Sequence, residues 1–358
     1  MVVSGYSKED PSAPNGYLHD VELLSAKKSN KCTKRVAPTR FAARAFLWDN
    51  GTVEYEAAKY GMTGLVSKDS ILVCGGKNRI GNKEACYEYD HTANTWREGA
   101  EMRERRFRAV SVLSEEGNML TLGGVGSNSK LPLGPESSEV YDPRTRKWRY
   151  GKPLPPYHRD SGITNHCVAR INSTHLVLTG GYAETYTLGD PENNRAVSIL
   201  GSMQKKTWLF DGFYWRRLAD MDDTREGHAC AVVELRGGEL GLLVAGGCSK
   251  SFCLDDSALA SAQVLTINDA TSSDSAWRYV ADLPKVLVNG KMETFDGLPT
   301  IFGGITPEEN AEGGGEVNGD LIQYDGIEDR WKVHERRLRV PRSSAAVFEV
   351  PYYMFSDC

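Results

Sequence analysis

Short apolar runs recur along the chain, and five of them end in paired glycines: Ile71–Gly76, Met119–Gly124, Leu176–Gly181, Leu242–Gly247 and Leu298–Gly304. Val2–Tyr6 is a reduced copy with one glycine. Runs this short, bounded by turn residues, predict buried strands rather than helices. A second strand-like run follows each: Val21–Ser25, Ala85–Asp90, Ser138–Asp142, Thr207–Asp211, Ala262–Thr266 and Leu321–Asp325. A tryptophan comes next in five copies, at Trp96, Trp148, Trp215, Trp277 and Trp331. In three copies the spacing from the aspartate is the same, Asp90 to Trp96, Asp142 to Trp148 and Asp325 to Trp331. Between each tryptophan and the next glycine pair the sequence predicts one more strand. It is opened by an arginine with a small residue or histidine three positions on: Arg40, Arg106, Arg159, Arg225 and Arg342. The copy expected between Val286 and Thr294 has lost this pattern.

The unit therefore has four strands: a after the arginine, b ending in Gly-Gly, c ending in Tyr-Asp or its equivalent, and d carrying the tryptophan. A four-stranded sheet cannot cover both of its own faces, so the units must stack, and radial stacking closes into a propeller. The Gly-Gly, the Tyr-Asp and the spaced tryptophan resemble the kelch repeat. The resemblance covers nearly the whole chain, strongest in units two, three, four and six and weakest in unit one. It implies one all-β domain over residues 1–358, a six-bladed β-propeller of four-stranded blades. Because the chain opens on a strand b and ends on a strand a (Arg342–Val350), the N-terminal strands are expected to pair with the C-terminal strand and close the ring.

Composition narrows the function. Against 43 Lys and Arg stand 48 Asp and Glu, a net charge of −5, which argues against nucleic-acid binding by bulk charge. The longest apolar runs, such as Leu240–Ala245, are far shorter than the roughly 18 residues of a membrane helix, so no membrane insertion is expected. Residues Met1–Tyr6 lack the basic start and apolar region of a signal peptide, which predicts a cytoplasmic protein with reduced thiols. The alternative is an extracellular protein in which Cys74 with Cys86 and Cys248 with Cys253 staple two hairpins.

No glycine pair runs into a Walker lysine, and no Ser-His-Asp or Cys-His spacing points to a nucleophile, so neither a cofactor nor an enzyme is expected. His166 and His228 lie beside Cys167 and Cys230 on equivalent strands. They read as satisfied core groups in preference to metal ligands, because four ligands would have to converge across a ring.

Alternation of antiparallel strands puts the b–c loops and d–a connections on one face. The b–c segments are long and unlike one another, which makes this the expected binding face for a protein or peptide partner, with a glycan or a sugar- or metal-dependent enzyme as alternatives. Tyr182 and Tyr186 give one of these segments, Tyr182–Gln204, an apolar character suited to gripping a partner. Arg40, Arg106, Arg159, Arg225 and Arg342 open strand a on the same face. They are expected either to form a rim that takes carboxylates of an acidic peptide or to pair with carboxylates of a neighbouring blade.

Overall fold

The computed structural model describes residues 1–7, 17–24, 45–47, 53–55, 59–66, 70–78, 81–114, 116–126, 133–155, 162–187, 198–250, 253, 257–267, 276–308, 315–351 and 354. Five antiparallel sheets follow one another along these residues, each in the order a, b, c, d that the repeat predicts, and a three-stranded sheet joins the two ends of the chain. Blade 2 runs Tyr60–Val66, Ile71–Asn78, Cys86–Asp90 and Thr95–Glu98. Blade 3 runs Val110–Leu113, Met119–Leu122, Glu139–Asp142 and Lys147–Tyr150, and blade 4 runs Cys167–Arg170, Leu176–Thr179, Thr207–Phe210 and Trp215–Arg217. Blade 5 runs Ala229–Glu234, Leu240–Ala245, Ala262–Thr266 and Trp277–Val280, and blade 6 runs Lys291–Phe295, Leu298–Phe302, Asp320–Asp325 and Arg330–Arg337.

Blade 1 is shared between the two ends of the chain. Its strand b, Val2–Tyr6, pairs with Tyr17–Glu22 on one side and with Ala346–Val347 on the other, in the register Val2↔Val347 and Val3↔Ala346. A separate hairpin joins Ala45–Leu47 to Val53–Tyr55.

Each strand b is buried on both faces, which is why these segments read as unbroken apolar runs and not as alternating ones. The apolar side chains gather in the seams between sheets. Val112, Leu120 and Val140 of blade 3 meet Val168, Leu176 and Phe210 of blade 4; Leu243 and Val264 of blade 5 meet Ile301, Ile322 and Tyr324 of blade 6. Phe302 and Leu321 of blade 6 meet Val2 of blade 1, so the seams continue across the junction of the termini.

The repeat tryptophans clamp these seams. Trp96, Trp148, Trp215 and Trp331 each lie about 5 Å from the aromatic ring on their own strand c, as in Tyr141–Trp148 at 5.1 Å and Tyr324–Trp331 at 4.9 Å, whereas strand c of blade 5 has no aromatic for Trp277. The indole N–H reaches back to a carbonyl of the preceding blade: Trp148 to Ala100 (2.8 Å), Trp215 to Pro153 (3.0 Å), Trp277 to Ala219 (3.0 Å) and Trp331 to Ala281 (2.7 Å). The aspartate that ends strand c ties the c–d turn, since Asp90, Asp211 and Asp325 each accept two backbone N–H groups from the turn, which holds Asp90 and Asp211 below the usual carboxylate range.

Candidate functional site

The glycine pairs set the geometry of the face where strand b ends. The second glycine donates its N–H to the first residue of the next strand-a segment: Gly76 to Arg106, Gly124 to Ile163, Gly181 to Arg225, Gly247 to Leu287 and Gly304 to Arg342. That carbonyl passes so close that a Cβ on the first glycine would lie 2.6 Å from the oxygen at Gly75 and 2.1 Å at Gly303, and both have positive φ. The same second glycine then accepts an N–H from the returning chain: Lys83, Leu133, Gln204, Leu259 and Asn318. Each b–c excursion is thus pinched at its base, and its length is uncoupled from the blades.

Blade 4 carries the longest described excursion. Tyr182–Thr187 pairs with Ser198–Met203, and Ile163–Thr164 adds a third strand. The sequence reads here as a loop with a partner-gripping apolar side; the alternation Tyr182-Ala-Glu-Thr-Tyr-Thr187 instead forms a hairpin. Tyr182 is half-buried at its foot, and Tyr186 lies further out on the same strand. Blade 6 has a smaller hairpin, Ile305–Thr306 with Glu316–Val317.

The three repeat arginines among the described residues do not form a rim. Arg40 and Arg159 lie outside the described residues, and the hydrogen bonds to the glycine pairs put Ile163 at the equivalent position in blade 4 and Lys59, which accepts from Gly5, in blade 2. Arg106, Arg225 and Arg342 are 1%, 0% and 0% exposed. Arg106 meets Glu139 at 2.8 Å and donates to the carbonyls of Gly123 and Ser137. Arg225 meets Asp223 at 2.9 Å, the Ser261 hydroxyl at 2.7 Å and the carbonyls of Gly246 and Ser261. Arg342 faces Glu22 at 3.5 Å. Burial pushes the Arg106 and Arg225 guanidiniums down, and their carboxylate partners pull them back up. The expected binding role is therefore corrected for these three: the guanidiniums are buried in their own blades, where Arg106 and Arg225 fasten the end of strand b to the start of strand c and Arg342 meets Glu22 at the end of strand c. They also differ from the expectation of pairing across a seam, since Arg106, Gly123 and Glu139 all belong to blade 3.

Two positions further on, a belt surrounds the axis. Gly61, Arg108, Asn165, Gly227, Asn289 and Ser344 all have positive φ. Their main chains link head to tail: Gly61 N–H to Ser344 (2.7 Å), Arg108 to Gly61 (2.9 Å), Gly227 to Asn165 (2.8 Å), Asn289 to Gly227 (2.8 Å) and Ser344 to Asn289 (3.0 Å). Inside the belt a small cavity is lined by Arg108, Asn165, His166, His228, Asn289 and Lys291, among others. Below it a channel of about 520 Å³ runs between the inner strands.

The surroundings of these groups are unusual. Burial and the nearby Arg108 hold the Lys291 ammonium down at about 8. Burial holds His166 at about 3 and His228 well below its ordinary value. His228 shares a hydrogen bond with the Thr179 hydroxyl at 2.9 Å, whereas both ring nitrogens of His166 are buried without a partner. Cys167 and Cys230, read from the sequence as core neighbours of these histidines, form a disulfide that joins the inner strands of blades 4 and 5. Cys74–Cys86 and Cys248–Cys253 are also disulfides. Among the described residues no group of three or more His, Cys, Asp or Glu could hold a metal.

Sequence reasoning missed Arg108 and Lys291. Arg108 was hidden two residues past a consensus arginine, and Lys291 sits in the one repeat that had lost its pattern; the recurrent Asn or Gly at the belt position was the available clue.

Repeat, tryptophan seams and closure through blade 1 define a kelch-repeat β-propeller. Among named relatives, the chain is similar to alpha-scruin of Limulus polyphemus, 22% identical over 243 residues, and to beta-scruin of the same animal, 23% identical over 245. Each match takes in 66% of this chain but spans only 23% of the scruin. Among solved structures it resembles YjhT (TM-score 0.57, 15% identity, 79% of this chain and 88% of that one). It also resembles a fungal alcohol oxidase of the AA5 family in complex with copper (TM-score 0.54, 14% identity, 82% of this chain and 58% of that one). At these identities the structural likeness is one of fold. No family model matches the chain.

Proposed function

We propose that this propeller is a protein-binding scaffold and that the partner docks on the face bearing the b–c excursions. The observation that carries this is the pinch at each second glycine. It leaves the blades regular while the segments above them differ in length, structure and chemistry, the division of labour expected of a recognition surface on a rigid support. The blade 4 hairpin, Tyr182–Met203, is the element best placed to grip a protein, because its paired strands extend beyond the pinch. The likeness to the scruins accords with a scaffold, and the likeness to the oxidase, being one of fold, adds no chemistry.

The test is affinity capture with three proteins: the intact chain, a variant with 184–201 replaced by a two-residue turn, and a variant altered on the opposite face at the exposed pair Phe213→Ser and Tyr214→Ser. Loss of the captured partner in the hairpin variant alone, at unchanged thermal midpoint, is the expected result. Loss in the opposite-face variant alone overturns the assignment of the face.

We also infer an oxidising compartment, in place of the cytoplasm expected from the N-terminal sequence. All six described cysteines are paired. Titration of the denatured protein, purified under alkylation, is expected to find at most two free thiols; eight would restore the reducing compartment.

A further inference from the structure

We propose that the axial mouth is a binding site for one small monoanion, a carboxylate group or an inorganic ion of similar size, held between Arg108, Lys291 and His166. The site lies on the proposed docking face, but the inference does not depend on that reading.

Three observations converge on it. First, the charge is one-sided. Arg108 and Lys291 are close enough for each to be felt by the other, and among the described residues neither makes an ion pair or a hydrogen bond to a carboxylate. The acidic group that Arg108 influences is Glu226, and its carboxylate is already engaged by the Asn165 side-chain amide at 3.0 Å. Second, the imidazole of His166 is 1% exposed, lines the cavity and leaves both nitrogens without a partner, an arrangement that buried polar groups rarely tolerate. Third, the size is restrictive. The cavity is about 30 Å³, room for a chloride-sized ion or the head of a carboxylate and too little for a sugar or a nucleotide.

Five of the six belt N–H groups are spent on one another, so the main chain can offer at most that of Asn165. That leaves side chains to do the binding: a guanidinium, an ammonium and one imidazole N–H, with the Asn289 amide also on the wall. An anion between them would offset the mutual repulsion of Arg108 and Lys291 and give His166 its missing partner. Burial and Arg108 together hold Lys291 down at about 8, a cost that the same anion would remove.

The test is calorimetric unfolding of the full chain at fixed ionic strength, exchanging a bulky sulfonate buffer anion, which carries no carboxylate, for chloride or acetate. A saturable rise in midpoint with chloride or acetate is expected. Lys291→Met and Arg108→Gln are each expected to raise the half-saturating concentration by roughly tenfold or more, the worth of one charge-assisted hydrogen bond. The source of the carboxylate is read from a second arm, in which a short acidic peptide with a free C-terminus is compared with its C-terminal amide. A response to acetate or chloride assigns a soluble ion, and a response only to the free-acid peptide assigns a partner's terminus. If no anion gives a saturable response in the parent, or if Lys291→Met and Arg108→Gln both respond as the parent does, the site is overturned. Because both variants replace a partly buried charged side chain by a slightly shorter neutral one, each is expected to fold, and the midpoint in the sulfonate buffer checks that it has.

Discussion

Arg106 and Arg108 stand two residues apart on one segment, and their surroundings are opposite. Arg106 is sealed inside blade 3, its guanidinium divided among Glu139 and two carbonyls. Arg108 turns toward the axis at φ 59°, beside a second cation and an unpartnered histidine. The difference follows from position in the repeat. A residue that recurs from blade to blade meets the same Gly-Gly and the same strand start each time, so selection for the fold suffices to explain it. The belt position is constrained only in its backbone, to a left-handed conformation that Gly and Asn adopt most cheaply. What its side chain does is free to vary, and an arginine placed there at a conformational cost calls for another reason.

The largest effect that separates the two is on stability. Arg106→Ala leaves the Glu139 carboxylate with no exposure and no counter-charge, a change expected to cost about 3–5 kcal/mol. Arg108→Gln removes a charge that makes no ion pair among the described residues, and it is expected to change stability by less than about 1 kcal/mol, relief of Lys291 offsetting the weaker support of Glu226. Urea unfolding of the two variants checks both. Equal losses would mean that the repeat position and the belt position share one structural role, and the contrast would disappear.

The same contrast explains what could be read from the sequence. Strands b, c and d, the closing of blade 1 and the turn-forming role of Asp90 or Asp325 were legible because each rests on a local pattern: an apolar run into glycines, a fixed Asp-to-Trp offset, a terminal strand lacking partners. The arginines misled because residue identity was matched and register was not. Arg40 and Arg159 fit the spelling of the motif, but the carbonyl that receives the glycine N–H belongs to Lys59 in blade 2 and to Ile163 in blade 4. An isoleucine and an arginine can share that slot because what the slot requires is a backbone carbonyl and a side chain long enough to plug the blade. The axial cluster was illegible for another reason. Arg108, His166 and Lys291 come from three blades and meet only because the ring closes, so no spacing along the chain records their proximity.

A smaller effect probes the axial side of the comparison through pH. His166 is held at about 3 and His228 is also depressed, both by burial, whereas in the unfolded chain each returns to about 6.5. Below 6.5 the unfolded state therefore binds protons that the folded state refuses, so stability falls as pH drops from about 6.5 toward 3, with a slope approaching about 1.4 kcal/mol per pH unit for each histidine. Carboxylates add to the acid loss at the low end, since Asp90, Asp142 and Asp211 are held below their ordinary values in the c–d turns, but their share begins nearer pH 4. The buried Met1 amino group, held down at about 6, adds to the loss mainly above that value, so the window between pH 6 and 5 reports chiefly on the histidines. His166→Gln is expected to flatten the loss in that window while leaving stability at pH 8 within about 1 kcal/mol of the parent, since a neutral amide replaces a neutral ring. Unfolding midpoints measured at half-unit steps decide it. An unchanged slope would mean that the imidazole already protonates in the folded state, which requires a negative group beside it, and would place the anion of the axial mouth permanently against His166.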